Sequence, residues 1–321
     1  LKFINQKISK AWEWRKAYVE KNKLEAFRLV NAAGDDLPGL IIDYYAGAFH
    51  IVFKEASCFE PRKELVQDLA KISSQIDPLR EFCFFEVMNF SPLPTFAIRE
   101  KGPGALLHKV IQEGKFKFEI HLGEGQHSGL FLDQRENRKI IYFHSQSRRV
   151  LNLFSYTGAF TIAALKGGAE EVVSVDLSKN YLEWLKRNVS LNEMDLKKTP
   201  VWTRDVFEYI KFAKKKNEKF DLIIVDPPTF SRSNRSNFST ERDMSSLLEE
   251  ALSLLSSPGN LFFCINTLKI SRELFNQKVS AVLQKTPYQI LKHLSVPRDF
   301  KLTSSEEKNP YLKACWVGSS A

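Results

Sequence analysis

The feature that most limits the fold lies between residues 133 and 284, where apolar runs of strand length alternate with amphipathic stretches of helical length. RRVLNLFS (148–155), EVVSVDLS (171–178), VWTRDV (201–206), FDLIIVDPP (220–228) and GNLFFCIN (259–266) read as strands, with RRVLNLFS and FDLIIV buried. DQRENRKIIYFHS (133–145), TIAALKGG (161–168), KNYLEWLKRNVSLN (179–192), FEYIKFAKKK (207–216), residues 241–256 and SRELFNQKVSAVLQ (271–284) read as helices. Gly167-Gly168 supplies helix-stop chemistry. Strands separated by helices cannot pair as simple hairpins. They run parallel, and the helices cross over to cover both faces of an open α/β sheet.

The first third of the chain is organised differently. A charged helix over residues 1–26, carrying Trp12 and Trp14, precedes FRLVNAAGDDLPGLIIDYYAGAFHIVFK (27–54), whose apolar runs are split by tight-turn residues. A helix over 60–75 and strands in EFCFFEVMN (81–89) and TFAIRE (95–100) complete a small α+β unit. The expected domains are therefore 1–104 and 105–321, the second opening on a hairpin in LLHKVIQEGKFKFEIHL (106–122) that turns at Glu113-Gly114. A length of 321 residues suits two domains. No apolar run reaches membrane-spanning length, and the N-terminus lacks a secretory signal's apolar stretch. Four scattered cysteines (Cys58, Cys83, Cys264 and Cys315) form no C-x-x-C pair. They imply a reducing cytoplasm and no zinc site. The chain begins with Leu1, which leaves upstream sequence open. A net charge of +9 suits a polyanionic partner, although many basic proteins have none.

In open parallel sheets, ligands collect beyond the carboxyl ends of the strands. After the first strand stands Phe154-Ser155-Tyr156-Thr157-Gly158, with one glycine where a pyrophosphate cradle would need three. That glycine still lets the chain pass close to a flat or small ligand. Asp176, followed by Leu177, ends the second strand, where a carboxylate can accept both ribose hydroxyls of a nucleoside. Asp205-Val206 follows the third, as a carboxylate for an adenine amino group beside an apolar residue. For each of these acids the plain alternative is a helix cap. The sharpest signal is Asp226-Pro227-Pro228-Thr229-Phe230, an acid at the mouth of a buried strand followed by two prolines without N–H groups. Their carbonyls are expected to point out unpaired, and Phe230 to stack on a base. The four strand ends together describe a nucleoside held without phosphates beside a base-stacking acceptor loop, which is the logic of S-adenosylmethionine plus a nucleobase.

LDQRENR, LNLFSYTGAF, VVSVDLSKNYLEWLKRNVSLN and FDLIIVDPPTFSRS resemble the bacterial 23S ribosomal RNA methyltransferases of the class I, Rossmann-like type. GDDLPGLIIDYY resembles that family's small preceding domain and NPYLKACW its closing strand, so the likeness spans about residues 25–320. It implies a mostly parallel seven-stranded sheet, S-adenosylmethionine as cofactor, and 23S rRNA or a large-subunit assembly intermediate as partner; a homodimer is left open, and the residue spacing implies no metal. In one branch of the family a cysteine on the strand after D-P-P attacks carbon 5 of cytosine. The other methylates guanine N7. Anchored on Glu273-Leu274-Phe275, Asn266 falls at the nucleophile position and Cys264 two residues earlier, where a core thiol is the favoured role. YLEWLKRN, DPPTFS and Arg298-Asp299-Phe300 also look closer to the guanine-N7 branch.

The resemblance further implies that Asp133, Gln134 and Arg135 cover the cofactor, and that Asp226, Pro227, Pro228, Phe230 and Asn266 position the base. Residues 231–243, read as a mobile loop, carry Arg232, Arg235 and Arg242 as expected RNA-backbone contacts, against the alternative of a solvated loop. His121 and His127 lack a third ligand at metal spacing and are read as structural or RNA-contacting. The rival functions are a nicotinamide dehydrogenase, disfavoured by the absent pyrophosphate glycines, and a non-enzymatic RNA-binding assembly factor, disfavoured by the retained acids.

Overall fold

Helix α1 (Ile4–Asn22) buries Ile4, Ile8, Ala11, Trp12, Arg15 and Val19, a stripe at three- and four-residue spacing. The computed structural model describes residues 4–89, 97–101, 108–122, 128–232 and 237–319. Its chain forms two compact units, one of Leu1–Asp133 with Pro297–Ser304, the other of Gln134–Val296 with Ser305–Ala321.

In the first unit, β1 (Ala26–Asn31), β2 (Leu40–Tyr45), β3 (Ala48–Phe53), β4 (Cys83–Met88) and β5 (Ala97–Lys101) pair in sequence order. β3 and β4 alone are parallel in this sheet, and α2 (Ala56–Phe59) and α3 (Arg62–Ile76) make the crossover that parallel pairing requires. Trp12 packs on Phe27, which continues through Tyr44 and Phe49 to Phe84. Arg15 is fully buried and pairs with Asp35 at 2.7 Å, while its Nε donates to the Asp299 carbonyl at 2.9 Å. The Asp299 carboxylate accepts from the Arg28 N–H at 2.9 Å. The segment Pro297–Ser304 is thereby built into the first unit.

β6 (His108–Glu113) and β7 (Phe116–His121) form the expected hairpin, with Glu113 opposite Phe116, so that the turn residues are Gly114-Lys115. Ile111, Phe116, Phe118 and Ile120 are buried on one face of it. Gln112 N–H donates to Glu25, Lys109 to the Ala46 carbonyl, and Tyr45 and Ser128 share a hydroxyl hydrogen bond of 2.9 Å. These ties carry the first unit past residue 104, where the sequence reading ended it, to Asp133.

The second unit contains α4 (Arg135–Phe143), β8 (Arg149–Leu153), α5 (Ala159–Lys166), β9 (Glu171–Asp176), α6 (Lys179–Leu191), β10 (Val201–Thr203), α7 (Val206–Lys215), β11 (Phe220–Val225), β12 (Phe230–Arg232), β13 (Asn237–Ser239), α8 (Thr240–Leu252), β14 (Leu255–Asn266), α9 (Arg272–Leu283), β15 (Tyr288–Leu294) and β16 (Leu312–Ser319). Seven of these strands form one sheet in the order β10-β9-β8-β11-β14-β16-β15. The first five are mutually parallel. β16 runs antiparallel between β14 and β15. The expected fold class is therefore present. Val150, Leu151, Leu153, Leu222, Ile223, Ile224 and Val225 are fully buried on the central strands, as near-continuous apolar runs require when helices cover both faces. No helix among the described residues is long and apolar enough to cross a membrane.

Candidate active site

The strand order reverses between β8 and β11, since the chain steps from β8 outward to β9 and β10 before returning to β11 on the other side. Ligands bind at the carboxyl ends of strands beside such a reversal. All four strand-end segments singled out in the sequence lie at that edge.

Past β8 the backbone is left-handed at three positions, Phe154 (φ 58°), Tyr156 (φ 50°) and Gly158 (φ 82°). Two of these carry side chains, a conformation that costs roughly 1–2 kcal/mol each and persists only where the surroundings fix it. The fixing groups are identifiable. The Asp176 carboxylate accepts from Tyr156 N–H at 2.9 Å and from Ser178 N–H at 2.8 Å. Burial pushes the Asp176 carboxyl above its ordinary range, opposed by those backbone donors. Asn188, fully buried on α6, donates to the Thr157 carbonyl at 2.9 Å. An alanine Cβ at Gly158 would stand 2.4 Å from Leu185 Cγ, so this glycine lets the turn pack closely on α6. Ser155 Oγ is buried and has no hydrogen-bond partner among the described residues.

Asp205 caps α7, accepting from Phe207 N–H at 3.0 Å and Glu208 N–H at 3.3 Å. Val206 is buried, and Leu177 beside Asp176 is 42% exposed.

At the mouth of β11, Asp226 is engaged from two sides. Gln134 Nε2 donates at 3.2 Å, and the Cys264 thiol donates to the other oxygen at 3.0 Å. Asn137 holds Gln134 in place at 2.6 Å. Gln134 and Arg135 are buried at the start of the second unit, whereas Asp133 closes the first. Cys264 is fully buried, as a core thiol should be, yet it touches the D-P-P acid.

The carbonyls of the proline turn are not all unpaired, contrary to the sequence expectation. Pro228 O accepts from the Thr240 hydroxyl at 3.0 Å, and Thr229 O accepts from the Thr240 N–H at 3.2 Å. The Thr229 hydroxyl in turn donates to Asn266 O at 2.7 Å. Pro227 O remains without a hydrogen bond among the described residues. Asn266 is exposed at the end of β14, and Phe230 is 51% exposed just beyond the turn.

The stretch read as a mobile loop contains structure. β12 and β13 pair antiparallel, and α8 begins at Thr240. Phe238 explains this: it is buried between Phe154 and Phe207, at ring separations of 5.7 and 6.0 Å. Asp243 also accepts from Ser239 N–H, securing the helix start. Arg232 ends β12, Arg235 lies outside the described residues, and Arg242 sits on α8, paired with Asp243 at 2.7 Å. His127 also lies outside the described residues.

Asn137, Asn188, Phe238 and Thr240 escaped the sequence reading. Each acts through a neighbour's backbone or side chain, and nothing in its own spacing announces that.

A parallel sheet whose last strand is reversed and inserted, with acids at the strand mouths and no pyrophosphate cradle, defines a nucleoside-binding α/β enzyme of the class I methyltransferase type. The chain belongs to the S-adenosylmethionine-dependent methyltransferase family, whose family model matches residues 35–302. It is 32% identical over 315 residues to a Bacillus subtilis (strain 168) protein provisionally named ribosomal RNA large subunit methyltransferase YwbD, covering 97% of this chain and 79% of that one. It is 31% identical over 325 residues to ribosomal RNA large subunit methyltransferase I of Aeromonas salmonicida, covering 99% and 80%. Among solved structures, SMU.776, a provisionally assigned methyltransferase complexed with SAH, superposes with a TM-score of 0.89 at 28% identity, covering 98% of this chain and 80% of that one.

Proposed function

We propose that this enzyme methylates N7 of a guanine in 23S ribosomal RNA, in the cytoplasm, on free RNA or a large-subunit assembly intermediate. The ribosomal substrate rests on the names its relatives carry. The choice of base rests on one observation. Cys264 has no exposed surface and its thiol is committed to Asp226, while Asn266 occupies the open end of the same strand. Carbon 5 of cytosine is unreactive without covalent attack by a thiolate. Guanine N7 presents an in-plane lone pair and needs none.

The residues at the strand mouths fit the cofactor. Ser155 Oγ is an orphaned buried hydroxyl at the reversal point, ready for a ligand's polar group. Asp176 would take the ribose hydroxyls, Asp205 and Val206 the adenine edge and face, and the Phe154–Gly158 turn the remainder, with Leu177 packing beside it. S-adenosylmethionine, when bound, supplies an electrophilic methyl group on a sulfonium. Because guanine N7 offers a lone pair and carries no hydrogen, this chain would need to hold no general base for the transfer. This chain's part is alignment, by Gln134, Asp226, the Pro227 carbonyl and Asn266, with Phe230 against the base plane. The Asp226 carboxylate also favours the positive charge that N7 methylation leaves on the ring. The target base must leave its stack to arrive there. Arg232, Arg235 and Arg242 would hold the flanking backbone.

The test is incubation with unmodified 23S rRNA and labelled cofactor, followed by nucleoside mass spectrometry. The expected product is 7-methylguanosine, lost in Asp226→Ala while RNA binding persists. 5-Methylcytidine that disappears in Cys264→Ser would overturn the assignment. For the arginines, a double Arg232→Ala/Arg235→Ala variant should weaken RNA binding and flatten its salt dependence. An unchanged slope removes them from the interface.

A further inference from the structure

The hairpin β6–β7 carries a cluster that the methyl-transfer site does not use. Its inner face buries Ile111, Phe116, Phe118 and Ile120. Its outer face bears His108, Glu119 and His121, because His108 stands directly opposite His121 in the register and Glu119 lies two residues before His121 on the same side of β7. His121 Nε2 and Glu119 Oε1 are 2.6 Å apart, His108 Nδ1 and the same oxygen 3.9 Å, and the two imidazole rings have centroids 3.9 Å apart. One ligand atom from each of the three falls within 4.8 Å of the others. The sequence reading, which considered His121 with His127, lacked this third ligand. Cross-strand register supplies it from residue 108.

We infer that His108, Glu119 and His121 form a binding site for a divalent first-row transition ion of the zinc class. Bonds of about 2.0–2.1 Å place tetrahedral donors about 3.3 Å apart. The present donors bracket that value, so side-chain rotations of the order of 1 Å convert the His121–Glu119 hydrogen bond into two metal bonds. Two imidazoles with one carboxylate select zinc, cobalt, nickel or copper over magnesium and calcium, which prefer oxygen donors. The graded exposure fits a three-ligand site keeping one position for water. His121 and Glu119 side chains are 10% and 20% exposed, and His108 is 52% exposed on the open side. The ion ties the two strands together at the open end of the hairpin, where His121 N–H also donates to Ser128 O at 3.0 Å.

The experiment uses the full chain, stripped with chelator and titrated with zinc by calorimetry. One equivalent binds, and His108→Ala and Glu119→Gln each weaken binding by about 100-fold, at the upper end of what lesser ligand-shell changes cost. His293→Ala, on a different exposed strand, leaves it unchanged. Cobalt bound in its place gives four-coordinate visible bands without a thiolate charge-transfer band. Amides of β6 and β7 exchange more slowly with metal present. His108→Ala keeps the circular dichroism of the parent, since its side chain is half exposed. Failure to bind an equivalent of zinc, equal binding by the parent and both ligand variants, or a thiolate band assigning the metal to cysteine would each overturn the site.

Discussion

Gly158→Ala separates two reasons for having a glycine after β8. Glycine could be there to admit a ligand, or to pack the turn on α6. The structure argues for packing, because the added Cβ would lie 2.4 Å from Leu185 Cγ and 2.8 Å from Cδ1. Holding alanine at φ 82° costs roughly 1–2 kcal/mol, and forcing a methyl into filled space roughly another 1–3 kcal/mol. The expected loss is about 2–5 kcal/mol. The two units need not unfold together, so the readout is urea-dependent hydrogen exchange of β8 and α6 amides. Leu185→Ala and the double variant complete a cycle. The steric part should reappear as a coupling of about 1–3 kcal/mol, because removing the Leu185 side chain opens room for the methyl, while the backbone part remains. A Gly158→Ala protein within about 0.5 kcal/mol of the parent, or a cycle without coupling, refutes the packing argument. Unchanged stability with lost S-adenosylmethionine affinity restores the ligand-approach reading.

Thr240→Val removes the hydroxyl donor from Pro228 O and should cost about 1 kcal/mol, appearing as a lower kcat with cofactor KM unchanged; equal kcat would show that the proline turn holds without it. Arg15→Ala leaves Asp35 as a buried carboxylate without its cation and should destabilise the first unit by about 3–5 kcal/mol, measured by exchange of β1 amides. Burial lowers the Lys313 ammonium to about 8 from an ordinary 10.5, although its Nζ donates to the carbonyls of Thr267 and Pro310. Between those values the native chain binds fewer protons than the unfolded one, so the penalty for burying the charge is full below pH 8 and fades as pH rises toward 10.5. The stability advantage of Lys313→Met over the parent, from urea midpoints, should therefore shrink across that window; a constant difference refutes it.

The central sheet was legible because its strands are buried on both faces. FDLIIV and VVSV are near-continuous apolar runs, broken only by Asp221 and Ser174, and their short length between helical stretches favours buried parallel strands. The acids at the strand mouths were legible for a related reason: a carboxylate at the end of a buried run is conspicuous. What each acid does was less legible. Asp205 does cap its helix, and Asp176 is tied to Tyr156 twenty residues back, a contact that no local pattern encodes. β15 went unread because most of its side chains are exposed, so its apolar pattern is weak. The hairpin β12–β13 went unread because eleven polar or charged neighbours surround Phe238 in SRSNRSNFSTER, and one buried ring outweighs them. The first unit's extension to Asp133 depends on hydrogen bonds such as Gln112 to Glu25, between residues far apart in the chain.

The return of Pro297–Ser304 to the first unit has a consequence for how the protein is made. A nascent chain emerges from its amino end, yet Arg15 and Arg28 wait for Asp299 before their hydrogen bonds can form. β14 and β15 likewise wait for β16, made after both, to fill the gap between them. Neither unit can finish before these later segments are made. Until β16 has been made, the growing polypeptide carries two strands with open edges, the kind of surface on which chains aggregate. Premature termination before β16 would leave that state permanent, so interrupted products of this sequence should be insoluble rather than merely inactive.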